Sequence, residues 1–455
     1  MKLLCSLERF TEKKGVRQTM FLFFQIPAFT RTVLISLITL LTLLGIMLRP
    51  WKVSEAITAL TGAGVLLLLG LLSPGEALAT LVRDWNTFLF FLGMMSLAAL
   101  AETAGLFDWL AIQAARLSGY SSRRLFFNTF LLGSLISMLL SNDATALILT
   151  PIVYSLVTRL RLPVLPYLFA CTFIADSASF LLPVSNPINI LVTSQFPLHL
   201  LTFLRLLFLP SLLVIGINAG VFYFLYRRQL HGRFDIKSLP TLQESVQHQA
   251  YFRYTCIVVL VVAGAYIIAA AIQFPLSLVA LGGALLLLFG ALYWKRTTLW
   301  DTARQISWPI FGFIAGMFLV VQALETTGLT AQFGQLLLRL SGGTSFGAVM
   351  VGTLGSALGT NLINNVPMAV VMTSALRGIQ HAPLTIQQGF LAATIFGCDL
   401  GPNLTTVGSL ATILWLLILR QRNIEVSGLD YFKVGILVTP LMLVAGAVAI
   451  WLLLV

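Results

Sequence analysis

WNTFLFFLGMMSLAALAETAGL, from Trp85 to Leu106, returns as WPIFGFIAGMFLVVQALETTGL, from Trp308 to Leu329. The offset is 223 residues. Without a gap it also pairs Arg116 with Arg339, Gly119 with Gly342, Asn142 with Asn365 and Asp176 with Asp399. Two leucine-rich stretches can be slid onto each other anywhere, but that does not bring polar residues opposite polar residues. The chain is therefore two copies of one unit, and the fold must be one that a duplication can build.

The solvent of that fold follows from composition. Of 455 residues, 58% are hydrophobic and 10% charged, against about 25% charged in soluble domains. The apolar residues fall in blocks such as Val33 to Leu48 and Val258 to Ile272, and blocks approaching ~20 residues can cross the ~30 Å hydrocarbon core of a bilayer. The net charge of +12 is carried by Lys and Arg in short loops, as the positive-inside bias of membrane proteins requires, so no nucleic-acid partner is implied. Cys5, Cys171, Cys256 and Cys398 are far apart and form neither a zinc motif nor a disulfide framework. Residues 1–30 read as a polar N-terminal segment and not as a cleaved signal, because Arg9, Lys13, Lys14 and Arg17 follow the short apolar start.

Each half reads as five spans and one hairpin. The first has spans near 33–49, 57–73, 86–113, 165–197 and 203–227, with a hairpin at 123–159. The second has spans near 253–273, 276–293, 308–336, 387–420 and 431–454, with a hairpin at 345–377. An odd number of spans sends the second half into the bilayer upside down. The predicted fold is thus all-α and polytopic, with two inverted repeats of five transmembrane helices, each carrying a re-entrant helical hairpin and a broken helix. The expected organisation is 1–30, a first repeat over 31–227, a cytoplasmic linker over 228–252 and a second repeat over 253–455. Arg227, Arg228, Arg233 and Lys237 set the side of the linker. Five spans then put the basic N-terminal segment outside, against the same bias.

Four polar clusters interrupt the apolar helices: Ser141-Asn142-Asp143; Asp176 to Asn189, with Pro183, Asn186 and Pro187; Asn364-Asn365; and Asp399 to Ser409, with Asn403 and Thr405. An acidic residue at the bilayer centre costs about 2.5–3.5 kcal/mol on insertion scales. Backbone broken by proline is tolerated at that depth only where it is buried in protein or lines a wet cavity. The clusters therefore predict a polar site framed by two hairpin tips and two unwound helices. Ser141, Asn142, Asn186, Asn189, Asn364, Asn365, Asn403, Thr405 and Ser409 are its candidate substrate ligands, and Asp143, Asp176 and Asp399 its candidate proton carriers. Glu102 and Glu325 sit at span ends, where a helix-end role competes with a site role. No Lys or Arg falls within the clusters, which favours a neutral or cationic substrate unless sodium ions serve as partner.

At these clusters the chain resembles the arsenical pump membrane proteins of the ion transporter superfamily. SNDATALILTPIV from Ser141, FIADSASFLLPVSNPINIL from Phe173 and GCDLGPNLTTVGSLATILWL from Gly397 carry the likeness. Ala144 stands where the family has Gly, Pro187 interrupts a Ser-Asn-Leu stretch, and Asn403 and Thr406 replace a Lys and a Pro. The resemblance implies a multi-pass protein of the plasma (inner) membrane that exchanges arsenite or antimonite for protons and confers arsenical resistance. In some members a soluble arsenite-stimulated ATPase assists. The chain has no Gly-x-x-x-x-Gly-Lys loop of its own, so it is expected to be a transporter and not an enzyme, without cofactor or resident metal. Cys171 and Cys398 are possible contacts to trivalent metalloid, although a buried apolar thiol is usually inert. The competing readings are a sodium- or proton-coupled dicarboxylate or sulfate carrier, a sodium/proton antiporter, and an intramembrane aspartyl protease, which leaves the duplication unexplained.

Overall fold

The structure, a computed structural model, describes residues 27–50, 53–196, 198–235, 239 and 246–455. The N-terminal segment up to residue 26 and most of the predicted linker's centre, Lys237 included, lie outside the described residues. Among those described, eight helices are long and apolar enough to cross a membrane.

The first half runs through α1 (Ala28–Leu48), α2 (Glu55–Leu68), the short amphipathic α3 (Pro74–Arg83), α4 (Trp85–Thr103), α5 (Leu106–Leu117) and α6 (Ser122–Leu139). A helical stretch follows as α7 (Asn142–Ala144), a π turn (Thr145–Leu149) and α8 (Thr150–Arg159), then α9 (Val164–Ser177), α10 (Pro187–Gln195) and α11 (Leu200–Tyr226). The second half repeats the series as α12 (Gln249–Ala271), α13 (Leu276–Tyr293), α14 (Leu299–Gln305), α15 (Trp308–Glu325), α16 (Leu329–Leu340), α17 (Ser345–Ile363), α18 (Asn365–Arg377), α19 (Leu384–Leu400), α20 (Leu410–Gln421) and α21 (Gly428–Leu454).

Two of the predicted spans are corrected. The stretches 86–113 and 308–336 are not continuous helices. Gly105 (φ +78°) ends α4 and Gly328 (φ +79°) ends α15, because a glycine takes the left-handed conformation that closes a helix without a Cβ penalty. The 57–73 span also stops early. Leu68 ends α2, Gly70 turns at φ +65°, and the chain restarts at α3, where Ser73 and Glu76 form a reciprocal capping box ahead of Pro74.

The repeat is written into the packing. The pair α1–α2 corresponds to α12–α13, and α6–α9 to α17–α19. Across the halves, α4 packs on α13 while α15 packs on α2, the exchange that a two-fold axis between the halves produces. In each pair a glycine meets the partner's backbone, and the two glycines are themselves repeat equivalents. A Cβ on Gly93 would lie 2.6 Å from the Leu281 nitrogen, and one on Gly316 would lie 2.6 Å from the Ala59 carbonyl carbon.

Candidate transport site

Four helix starts meet at the centre, each capped by a residue of the polar clusters. Ser141 Oγ accepts from the Ala144 N–H (3.1 Å), and Asn364 Oδ1 accepts from the Val366 N–H (3.5 Å). Asn186 Oδ1 accepts from the Ile188 N–H (3.0 Å), and Ser409 Oγ accepts from the Ala411 N–H (3.1 Å). Ser141 and Asn364 are equivalents at the offset of 223, as are Asn186 and Ser409, so the two halves supply matched pairs of N-caps. Side-chain caps at these positions satisfy backbone donors that a proline-broken helix leaves free. The four N-termini together place partial positive charge around one point.

A small cavity of about 20 Å³ opens there. Its wall is formed by Asn142, Asp143, Asn186, Pro187, Asn365, Val366 and Ser409 from the helix starts, and by Phe91, Ile310, Phe313 and Ile314 from α4 and α15. Of the residues that the sequence singled out, five therefore reach the wall: Asn142, Asp143, Asn186, Asn365 and Ser409. The others hold the frame. Ser141 and Asn364 cap, and Asn364 Nδ2 also donates to the Val407 carbonyl (3.3 Å). Asn189 Nδ2 donates to the carbonyls of Ser179 (2.8 Å) and Leu182 (3.2 Å) in the unwound segment. Asn403 Nδ2 donates to the Phe173 carbonyl (3.4 Å), and Thr405 Oγ1 donates to Asn361 Oδ1 (2.7 Å).

The three candidate carboxyls are not equivalent in space. Asp143 is half-buried on the cavity wall. Asp176 and Asp399 are 1% and 0% exposed and stand behind it. Asn142 Nδ2 donates to Asp176 Oδ1 (3.5 Å), and Asn186 Nδ2 donates to Asp399 Oδ1 (2.9 Å). Two of the three wall amides thus each touch a buried carboxyl. The second oxygens, Asp176 Oδ2 and Asp399 Oδ2, have no hydrogen-bond partner, a costly condition for a buried oxygen unless it carries a proton or meets a ligand. Cys171 and Cys398 are both buried, and neither lines the cavity. The apolar wall residues Phe91, Ile310, Phe313 and Ile314 gave no sign in the sequence, because one apolar side chain in an apolar helix resembles its neighbours.

The citrate transporter family profile matches residues 43–396. The arsenical pump membrane protein of Escherichia coli K12 is 30% identical over 414 residues, which cover 90% of this chain and 96% of that one. Among solved structures, the YdaH transporter of Alcanivorax borkumensis superposes with a TM-score of 0.57 at 13% identity, covering 93% of this chain and 98% of the other. The MtrF efflux pump of Neisseria gonorrhoeae superposes with a TM-score of 0.55 at 13% identity, covering 96% and 97%. These two likenesses carry the fold alone. Eight membrane-length helices, the duplicated architecture and these matches make the chain a multi-pass transporter of the plasma (inner) membrane, and it belongs to the family of the arsenical pump membrane proteins.

Proposed function

We propose that the chain exports arsenite and antimonite in exchange for protons. The observation that carries this reading is the cavity wall. Four neutral groups that both donate and accept, or accept through a hydroxyl (Asn142, Asn186, Asn365 and Ser409), surround a single carboxyl, and no Lys or Arg is among them. Arsenite and antimonite near neutral pH are uncharged trihydroxides. They need hydrogen bonds in three directions and no counter-charge. Asn142, Asn186, Asn365 and Ser409 are the substrate ligands in this reading, with Ser141, Asn189, Asn364, Asn403 and Thr405 holding the unwound backbone. Asp143 exchanges a proton on the wall, and Asp176 and Asp399, each tied to a wall amide, couple amide position to protonation.

The chain acts as a carrier and not a hydrolase. A transmembrane proton gradient supports it, and any ATP use falls to a separate soluble subunit. The two halves are inverted about an axis in the membrane plane, the hairpins enter from opposite faces, and the 228–252 linker is cytoplasmic.

A second reading draws on one observation. Four helix N-termini attract anions, which suits a carboxylate carrier. The Asp143 carboxyl in their midst opposes it. Everted vesicles from cells that make the protein decide between them. The proposed function requires uptake of arsenite or antimonite driven by an inside-acid pH gradient and unaffected by excess citrate or sulfate. Uptake of citrate or sulfate with no metalloid flux would replace it with the second reading.

A further inference from the structure

At one end of the molecule the two halves are laced together by a polar chain that its repeat equivalent cannot form. Arg377, the last residue of α18, donates to both oxygens of Glu325 at the end of α15 (2.8 and 3.0 Å). Its other terminal nitrogen donates to Gln195 Oε1 at the end of α10. Gln195 Nε2 donates to Asp84 Oδ1 (3.2 Å) ahead of α4, and Arg83 donates to Asp84 Oδ2 (3.2 Å). The chain thus joins α4 and α15, which wall the cavity with apolar rings, to α10 and α18, which bring the caps and amides. Asp84 is 2% exposed, so the link is not a loose surface contact.

At the offset of 223 the equivalents of Asp84, Gln195, Glu325 and Arg377 are Ser307, Ile418, Glu102 and Tyr154. That set holds one charge and cannot reproduce the link. Packing follows the same asymmetry. At the laced end α10 packs on α4 and α18 on α15, whereas the related pairs, α20 with α15 and α8 with α4, scarcely touch.

The cavities divide accordingly. At the unlaced end a space of about 110 Å³, reaching Ser54, Glu55 and Ser307, shares Asp143, Ile310 and Phe313 with the central cavity. At the laced end a larger space of about 400 Å³, bounded by Arg83, Asn86 and Ser194, shares no wall residue with it. We infer that the Asp84–Gln195–Arg377–Glu325 chain is a gate that seals the site from the outer face, and that the structure is the state open toward the cytoplasm. The inference rests on the reading of the central cavity as the transport site and on the cytoplasmic placement of the linker. The Tyr226 end of α11 adjoins that linker, so its Leu200 end and the neighbouring Gln195 fall on the outer face.

The test is chemical and independent of which substrate is carried. Ile314→Cys, on the cavity wall, is made in a chain whose four native cysteines are serine, and is exposed to a membrane-impermeant maleimide in right-side-out and everted vesicles. In the parent gate, labelling should come from the cytoplasmic face. Arg377→Ala or Glu325→Gln should raise labelling from the outer face about tenfold, the shift expected when one state of a two-state equilibrium loses a charge pair. Arg377→Lys should raise it less. Gln195→Cys with Arg377→Cys, joined by a short bis-maleimide in the chain with Ile314 retained, should stop transport. Outer-face labelling unchanged in both Arg377→Ala and Glu325→Gln, or a rise confined to everted vesicles, overturns the gate. So does transport at the parent rate once the cross-link has formed. If arsenite is not carried and the labelling still shifts, the gate stands and the substrate reading falls.

Discussion

Asp143 lies where the central cavity and the unlaced space meet, and in the proposed exchange it is the carboxyl that meets water before the deeper two. Its repeat equivalent is Val366, so only the first half supplies an ionisable residue to the wall. Asp143→Asn keeps the shape and removes the titrating group. It should abolish substrate-driven proton flux in everted vesicles while the protein still accumulates. Asp176→Asn and Asp399→Asn, which also disturb the amides of Asn142 and Asn186, should lower both proton flux and substrate affinity. If all three variants move protons at the parent rate, coupling lies elsewhere. Glu102 is the next candidate, because Glu325 is committed to Arg377. Cys398→Ser should retain most transport, since the thiol is 0% exposed and off the wall. Loss of metalloid flux in that variant at normal expression would show that thiolate chemistry is needed after all.

The helices give the sharper test of the architecture. Gly93 of α4 and Gly316 of α15 let two backbones meet, and a larger residue at either cannot be absorbed by a side-chain shift because the atoms in the way are backbone. Gly93→Val and Gly316→Val should each cost ~1–3 kcal/mol, the usual range for overpacking. Both should lower the midpoint of thermal unfolding in detergent, and to a similar degree, because the sites are equivalent. Gly264, with open space around it, serves as control, and Gly264→Ala should be silent. At this level the sequence was legible wherever polarity broke an apolar pattern: the polar clusters with Ser141, Asn186, Asn364 and Ser409 could be named from it, though as substrate ligands and not as the helix caps that the structure shows. It was silent where the deciding fact is a contact between distant residues. Gln195 and Arg377 look like ordinary helix-end polar residues until α10 and α18 are brought together. The apolar wall is indistinguishable from lipid-facing surface, because in a bilayer both are apolar. The breaks at Gly105 and Gly328 lie inside the duplicated stretch, but a hydropathy pattern does not register one φ angle.

For the whole carrier, the proposed exchange of one neutral substrate for one proton would move one net charge inward, and a potential of 100 mV would then contribute about 2.3 kcal/mol. That supports a substrate ratio of roughly 40-fold before any pH difference is counted. Collapse of the potential with valinomycin and potassium should therefore lower the steady-state ratio in vesicles even at a fixed pH gradient. A ratio insensitive to potential would mean an electroneutral exchange. The swapped pairing of α4 with α13 and α15 with α2 also bears on how the protein is made. Neither half can cover its own glycine-lined faces, so the first half, α1 to α11, leaves the ribosome with surfaces that only later synthesis completes. Cutting the gene within the 236–245 linker and making both pieces in one cell should let them find each other in the membrane and restore function. Either piece alone should be cleared by membrane proteases, its unmet interface marking it as unfinished.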